Sequence, residues 1–388
     1  MSKVARIRKR EITLESPVKR QKTSVSQTSI LKDDIGLEDD LEEYEKELLT
    51  QTALLIVQFD HPFVLDKNFP VPKLSEYEIL VENKSVGLNP IDWKGKKYRF
   101  GIYHFPWLNG RESSGKVVKK GAKVDGLKCG DRIAVSSTSY RDNRTSTFQQ
   151  FTAVDSRLVW KLPLHITFES GATLGVGLVA ASILLYESFG FDLSQEYTNE
   201  GTIVIWGGGT AVGLYITQLA KFHGMRVISI ASQDNEQYLK SMGAHTVIDR
   251  NLPPEDIEKK LSDLCAQGIQ FGVDCHSKAT AATLVDFLDK IPDRSGKSSL
   301  FTGLVGVPKT FPSNVEYKEF IIKKFHENID LGQRVIHLTS EFLKNGLVRP
   351  LRSKPYSGDL DMIDTALKDL EEQGAKSEKY VINLSQTS

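Results

Sequence analysis

Apolar positions along the chain fall into two textures. From "ALLIVQFD" at residues 53–60 to about Ala172, short β-like runs such as "YEILVENKSVGLN", "GKVVKKGAKV", "CGDRIAVSS" and "FQQFTAV" are separated by Gly, Asn, Asp and Pro. That spacing predicts an irregular β domain. After Glu169, the apolar runs "GTIVIWGGG", "RVISIAS", "AHTVIDR", "QFGVDCHS" and "SSLFTGLVG" alternate with amphipathic helical stretches. Such alternation predicts a doubly wound parallel sheet covered by helices on both faces. From about Leu338, two helical pieces precede "KYVINL", a terminal strand expected to return to the first domain. The expected organisation is a charged, disordered tail at 1–47, a β domain at 48–172 completed by 338–388, and a sheet-and-helix domain at 173–337.

Within the second texture, "GTIVIWGGGTAVGLYITQLAKFHG" runs from Gly201 to Gly224 in the order strand, glycine turn, helix. Val212, Tyr215, Ile216 and Leu219 share one helical face. Gly207, Gly208 and Gly209 permit a tight turn and close backbone approach, while Thr210, Ala211, Val212 and Gly213 open the helix whose N-terminus would face a pyrophosphate. Thr210 stands where the G-x-G-x-x-G pattern has its middle glycine, so the fingerprint is imperfect; the competing reading is a plain helix-capping loop. The next strand ends at Ala231 and Ser232, with no carboxylate to hold a ribose 2′-hydroxyl. That favours NADPH over NADH, with Ser232, Tyr238 and Lys240 as candidate contacts, although no Arg or Lys immediately follows as a clamp.

Composition narrows the partners. Lys plus Arg number 50, equal to Asp plus Glu, so net charge gives no reason to expect nucleic acid. The charge is nevertheless polarised at the N-terminus: residues 1–22 hold eight basic groups against Glu11 and Glu15, and residues 33–47 are dominated by Asp and Glu. Lys9, Arg10 and "KRQK" at 19–22 raise nuclear import or attraction to an anionic membrane surface as alternatives to a merely solvated tail. No apolar run of a membrane-spanning length stands out and no signal-peptide pattern opens the chain, so a cytoplasmic protein, peripheral at membranes at most, is expected. Cys129, Cys265 and Cys275 lie too far apart for a CxxC pair and read as buried thiols.

The motifs "NPIDWK", "GRESSG", "CGDRIAV", "GATLGVGLVAA", "WGGGTAVG" and "FTGLVG", taken in order from roughly Thr52 to the C-terminus, resemble the medium-chain dehydrogenase/reductase superfamily. "NPIDWK" and "GGGTAVG" look most like its zinc-free quinone-reductase and enoyl-reductase-like fungal branch. The resemblance implies a GroES-like irregular β domain plus a Rossmann domain, a cleft between them, and homodimers formed through the edge of the cofactor sheet. In zinc-dependent members, metal ligands stand at the positions of Asn89, Arg111 and the region Gly175–Gly177; none of these residues suits zinc, and a first-shell guanidinium would repel it. No metal is therefore expected, and a bound nicotinamide would reduce an activated alkene, quinone or enone, a small-molecule electrophile already polarised by its carbonyl.

By the same resemblance, Tyr103 is a candidate proton or hydrogen-bond donor and Lys94 a candidate contact to cofactor or substrate. Asn89, Asp92 and Thr147 are candidate substrate contacts, and Gly303 and Val305 would close over the nicotinamide. Each has a bland alternative: Tyr103 as a half-buried aromatic, Lys94 as a surface lysine, Asn89 and Asp92 as a turn and a helix cap, and Thr147 in a solvated loop. An ion pair from Arg111 to Glu112 or Asp92 is the expected use of the arginine. The tail, "GIYHFPWLNGRESSG" and "STSYRDNRTSTFQ" also resemble a fungal group that targets the plasma-membrane ATPase. That implies an alternative function, a nucleotide-binding scaffold or trafficking factor for membrane proteins with vestigial catalysis, for which Thr210 is a hint.

Overall fold

The computed structural model describes residues 49–193 and 201–385. The tail expectations, import and membrane attraction among them, fall on residues 1–47 and lie outside the described residues. The chain from Leu48 onward forms one compact unit.

Its first half is built on two mainly antiparallel sheets. Strand β1 (Thr50–Ile56) sits between β2 (Val64–Pro70) and β4 (Trp107–Leu108). Beside this small sheet runs a larger one, containing β3 (Glu78–Gly87), β5 (Glu112–Lys120), β6 (Arg132–Ser136) and β8 (Val159–Lys161), with β7 (Phe151–Asp155) also paired to β3. A short helix, α1 (Pro90–Lys97), leaves the end of β3 with proline in its first turn, where the missing N–H costs nothing.

Two helical segments then lead into the second half: α2 (Phe168–Gly171) and α3 (Gly175–Ser182), the latter continuing as a π-helical turn over Ile183–Ser188. The stretch Phe168–Ser188 is long and apolar enough to cross a bilayer, which the sequence reading overlooked, but 78% of its most apolar window is buried inside the protein. A core helix satisfies the same composition.

The second half is a six-stranded, all-parallel sheet in the order β11–β10–β9–β12–β13–β14. Its strands are β9 (Thr202–Trp206), β10 (Arg226–Ala231), β11 (Thr246–Asp249), β12 (Phe271–Asp274), β13 (Ser299–Gly303) and β14 (Val315–Tyr317). The crossover helices are α4 (Ala211–Phe222), α5 (Glu236–Met242), α6 (Pro254–Leu264) and α7 (Lys278–Lys290). Strand β9 is buried along its whole length, and apolar clusters cover both faces of the sheet, one around Ile203, Ile205 and Tyr215 and the other around Val204, Ile228 and Phe301.

After β14 come α8 (Lys324–Glu327) and the long α9 (Ile329–Lys344), whose Thr339 accepts a hydrogen bond from the buried Trp160 indole at 2.8 Å. The chain then re-enters the larger sheet of the first half. Strand β16 (Lys379–Leu384) lies between β15 (Ser353–Gly358), its parallel neighbour, and β3, its antiparallel one; α10 (Met362–Gln373) bridges β15 and β16.

Candidate active site

The parallel sheet reverses its winding at β9, with β10 on one side and β12 on the other, and the glycine turn leaves the carboxyl end of that strand. Open α/β sheets form their ligand crevice at this point. Gly207 has φ +81°, which favours glycine, and a Cβ on Gly213 would stand 2.5 Å from the Gly207 carbonyl oxygen. The amides of Gly207 and Gly208 are both taken by the Ile230 carbonyl, at 2.9 and 3.3 Å. Thr210 caps α4: its Oγ1 accepts from the Gly213 amide at 3.1 Å and donates to the Gly207 carbonyl at 2.8 Å. Gly209, Ala211 and Val212 are left with the cradle amides for an anion at the helix start. Thr210 thus braces the turn, which removes the hint that the cradle is degraded. The residues fit a dinucleotide pyrophosphate.

Beyond the end of β10, Ser232 Oγ lies 3.4 Å from Asp234 Oδ2, and Lys240 is paired with Glu236 at 2.6 Å. Tyr238 is engaged by a residue that the sequence reading missed. The Arg352 amide donates to its hydroxyl at 3.0 Å, and the Arg352 guanidinium lies 4.1 Å above its ring. The same guanidinium donates to Asn235 Oδ1 at 2.8 Å and to the Lys376 carbonyl at 3.3 Å. Lys376 and Ser377 both adopt left-handed backbone, with φ +48° and +60°, and Ser377 packs against Gly209 so closely that a Cβ there would meet its Oγ at 2.5 Å. The returning C-terminal segment therefore supplies one wall of the cofactor crevice. Nothing near Tyr238 in the linear sequence signals Arg352, because β15 brings it there.

On the opposite side, Asn89, Glu112 and Lys379 form a buried network. Asn89 Nδ2 donates to Glu112 Oε1 at 2.7 Å, and Asn89 Oδ1 accepts from Lys379 Nζ at 2.7 Å. Lys379 is also ion-paired with Glu112, and Glu112 Oε2 accepts from the Val176 amide at 2.9 Å. Gly87 and Gly175 make the space, since a Cβ on either would come within 3 Å of the Glu112 side chain. Gly177, two residues on, packs against Tyr215 and Ala211 of the cradle helix. The network is therefore linked through α3 to the cofactor crevice.

The expected ion pair from Arg111 to Glu112 or Asp92 is not made. Glu112 is committed to Lys379, and Asp92 Oδ2 accepts from the Asn89 amide at 2.8 Å in a helix-start box. Arg111 is buried with its guanidinium 4.9 Å above the Tyr140 ring, and Nη1 has no hydrogen-bond partner among the described residues. Asp92 Oδ1 and Thr147 Oγ1 are likewise buried without partners. Burial lowers the Arg111 pKa, while the field of Asp92 opposes that shift; burial raises Tyr140 to about 12. His326 stacks edge-on against Tyr140 at 5.1 Å, and burial lowers its pKa.

Burial also pushes the Asp92 carboxyl from 3.8 up to about 7, against the pull of the Asn89 amide, Arg111 and Lys379. The folded protein therefore holds a proton that the unfolded chain releases between those values, so this group's contribution to stability falls as pH rises through that window. Asp92→Asn removes the effect: in urea titrations, the stability difference between about pH 4 and pH 8 changes by on the order of 3 kcal/mol relative to wild type. An unchanged pH profile would show that Asp92 ionises normally.

Other sequence candidates sit elsewhere or play structural parts. Tyr103 is 57% exposed, packing edge-on against Trp107 at 5.6 Å with Arg141 at 5.1 Å, and it is not a member of the Asn89–Glu112–Lys379 network. Lys94 projects over the Trp93 ring at 5.5 Å. Thr147, placed by the alternative reading in a solvated loop, is fully buried against Gly110. Gly303 ends β13 beside Gly306 and Val307, and Val305 is 57% exposed. A resident zinc does not fit the arrangement. Among the described residues, no three His, Cys, Asp or Glu side chains converge, and the buried guanidinium of Arg111 opposes a cation.

Comparison with known proteins places this geometry. An alcohol dehydrogenase GroES-like domain model matches residues 75–181, and a zinc-binding dehydrogenase model matches residues 211–315. A trans-enoyl reductase of the fungus Talaromyces variabilis is 27% identical, over 81% of this chain and 92% of its own. An alcohol dehydrogenase superfamily protein from Novosphingobium aromaticivorans shares the fold with a TM-score of 0.73 at 21% identity, over 87% of this chain and 100% of its own. A mycobacterial protein solved with NADPH does so with a TM-score of 0.68 at 20% identity, over 86% and 100%. With its GroES-like sheet, its parallel dinucleotide-binding sheet and these relatives, the chain belongs to the medium-chain dehydrogenase/reductase superfamily.

Proposed function

We propose that the protein is a zinc-independent, NADPH-dependent reductase of activated alkenes, quinones or enones. The observation that carries this reading is the Thr210-capped cradle at the sheet's switch point, joined through α3 to the buried Asn89–Glu112–Lys379 network, whose donors suit hydrogen bonding rather than a metal. The trans-enoyl reductase relative supports the substrate class, and the NADPH-bound neighbour the cofactor.

In this reading, a bound nicotinamide supplies the hydride. Gly209, Ala211 and Val212 hold the pyrophosphate with backbone amides, and Gly207, Gly208 and Gly213 let it approach. Arg352, held over Tyr238 and donating to Asn235, takes the 2′-phosphate, a charge-assisted contact of the kind guanidinium geometry suits. The Asn89–Glu112–Lys379 network fixes the cleft wall against α3. Purified protein titrated with NADPH and NADH by nicotinamide fluorescence, then offered quinones and enones, tests the reading. Failure to bind either nucleotide would overturn it. Arg352→Met is expected to weaken NADPH by about 10-fold or more while leaving NADH within about 2-fold. An equal loss for both cofactors would remove Arg352 from the phosphate site.

A further inference from the structure

Arg111 is a buried group whose position the reductase reading does not yet use. Four segments bring ionisable or aromatic side chains around it: Asp92 from α1, Tyr103 from the loop before β4, Tyr140 from the loop after β6, and His326 from α8. The last of these comes from beyond β14, so Arg111 lies where the two halves of the compact unit face one another. Its backbone is fixed on both sides: the Arg111 carbonyl accepts from the Ser137 amide at 2.7 Å, and the Gly110 carbonyl accepts from the Thr147 amide at 3.2 Å. Gly110 itself has φ +90° and lies against Thr147 and Phe148, so the arginine emerges from a turn that a larger residue would distort.

Buried arginines ordinarily spend their five N–H donors on carboxylates or carbonyls. Here Nη1 spends its donors on none of the described residues, although Asp92 is near enough to influence it. Neither nearby carboxylate pairs with it. Glu112 is tied to Lys379, Asn89 and the Val176 amide, and Asp92 presents Oδ2 to the Asn89 amide while its Oδ1, like Arg111 Nη1, is left without a partner among the described residues. The side chain is thus a desolvated donor in a low-dielectric site, the environment in which a hydrogen bond to a developing negative charge has its greatest effect.

We propose that Arg111 is the oxyanion-binding residue of the cleft: its Nη1 donates to the carbonyl oxygen of an α,β-unsaturated carbonyl or quinone substrate and holds the negative charge that forms there. The inference rests on the reductase reading above and narrows its substrates to those whose reducible bond is conjugated with a carbonyl. In the enone case, the β-carbon accepts a hydride from the reduced nicotinamide. The alkene π pair shifts to form the α-carbon–carbonyl-carbon double bond, and the carbonyl π pair moves onto oxygen, giving an enolate. Arg111 stabilises that oxygen, and a proton from solvent then reaches the α-carbon as the carbonyl re-forms. The net change is two electrons and two hydrogens gained by the alkene, with the nicotinamide oxidised. An alkene with no carbonyl offers Arg111 nothing to hold.

A phenolate resembles an enolate in charge and shape, and p-nitrophenol reports its own ionisation by colour, so the oxygen site can be read without turnover. Full-length protein is titrated with p-nitrophenol across a pH series, with and without the oxidised nicotinamide. Wild type is expected to bind the phenolate in preference and to lower the apparent pKa of the bound phenol by about one unit or more. Arg111→Met loses the shift, and Arg111→Lys, which keeps the charge but not the fork, retains part of it. An unshifted phenol in wild type overturns the proposal whatever the variants do, so misfolding of a variant does not shelter it. A shift that survives in folded Arg111→Met, verified by its melting curve, overturns it too. Nicotinamide fluorescence on the same wild-type sample separates the two readings. Cofactor binding with an unshifted phenol leaves the reductase standing without Arg111, whereas a shifted phenol without cofactor binding keeps the oxyanion site and removes the reductase.

Discussion

Lys379→Met is expected to lower the unfolding free energy by about 3–5 kcal/mol, because it leaves a carboxylate buried without its counter-charge. Glu112 is fully buried and Lys379 nearly so. Three further contacts close the network, from Asn89 to each partner and from the Val176 amide to Glu112. Removing both charges together avoids the uncompensated ion, so the double variant Glu112→Gln/Lys379→Met should recover a large share of the loss. Urea denaturation followed by tryptophan fluorescence measures both. If the single variant loses under about 1 kcal/mol, as an exposed pair would, the network is more hydrated than the geometry indicates.

The largest functional effect is expected at the glycine turn. Gly208 faces Ser229 of β10 so closely that an added Cβ would sit 2.6 Å from its Oγ and 2.7 Å from its Cβ. Gly208→Val must therefore push the turn away from β10, carrying with it the amides at the start of α4. Cofactor affinity should fall by about 100-fold or more, equivalent to about 2.7 kcal/mol. Ser229→Gly in the same chain clears part of the space and should return part of the affinity. Nicotinamide fluorescence measures the loss and a melting curve confirms the fold; unchanged affinity in a folded Gly208→Val protein would move the pyrophosphate away from this turn.

Much of the architecture was legible because it is written in local periodicity. The strand, turn and helix from Thr202 to Phe222 are contiguous, and each element carries its own pattern: a buried run, glycines at the bend, and one apolar helical face. Strand β14 was missed because three residues, two of them exposed, give no period to read. The site was less legible, since its partners are distant in sequence. Lys379 reaches Asn89 across 290 residues, and Arg352 reaches Tyr238 across 114. Local pattern carries no record of such pairings. Arg111 was noticed as chemically odd, but its partner was misjudged: proximity in sequence suggested Glu112, whereas Arg111 precedes β5, lies over Tyr140, and Glu112 pairs with Lys379. Thr210 looked like an erosion of the glycine pattern and proved to be a cap, a role that a threonine before a helix performs well.

The position of β16 between β15 and β3 has a consequence for how the molecule is made. Every other strand of that sheet precedes it in the chain, and β3 emerges from the ribosome almost 300 residues earlier. Until β16 is synthesised, the Ser85–Gly87 end of β3 lacks its partner, although β7 already covers Glu78–Glu82, and Glu112 waits without the lysine that neutralises it. Vectorial synthesis therefore finishes the parallel sheet while the larger sheet of the first half is still open, and closes the buried Glu112–Lys379 charge balance last. A chain that stalls shortly before its end carries an unpaired carboxylate and an exposed strand edge, which sets it apart from the finished protein for any quality-control machinery that reads exposed strand edges.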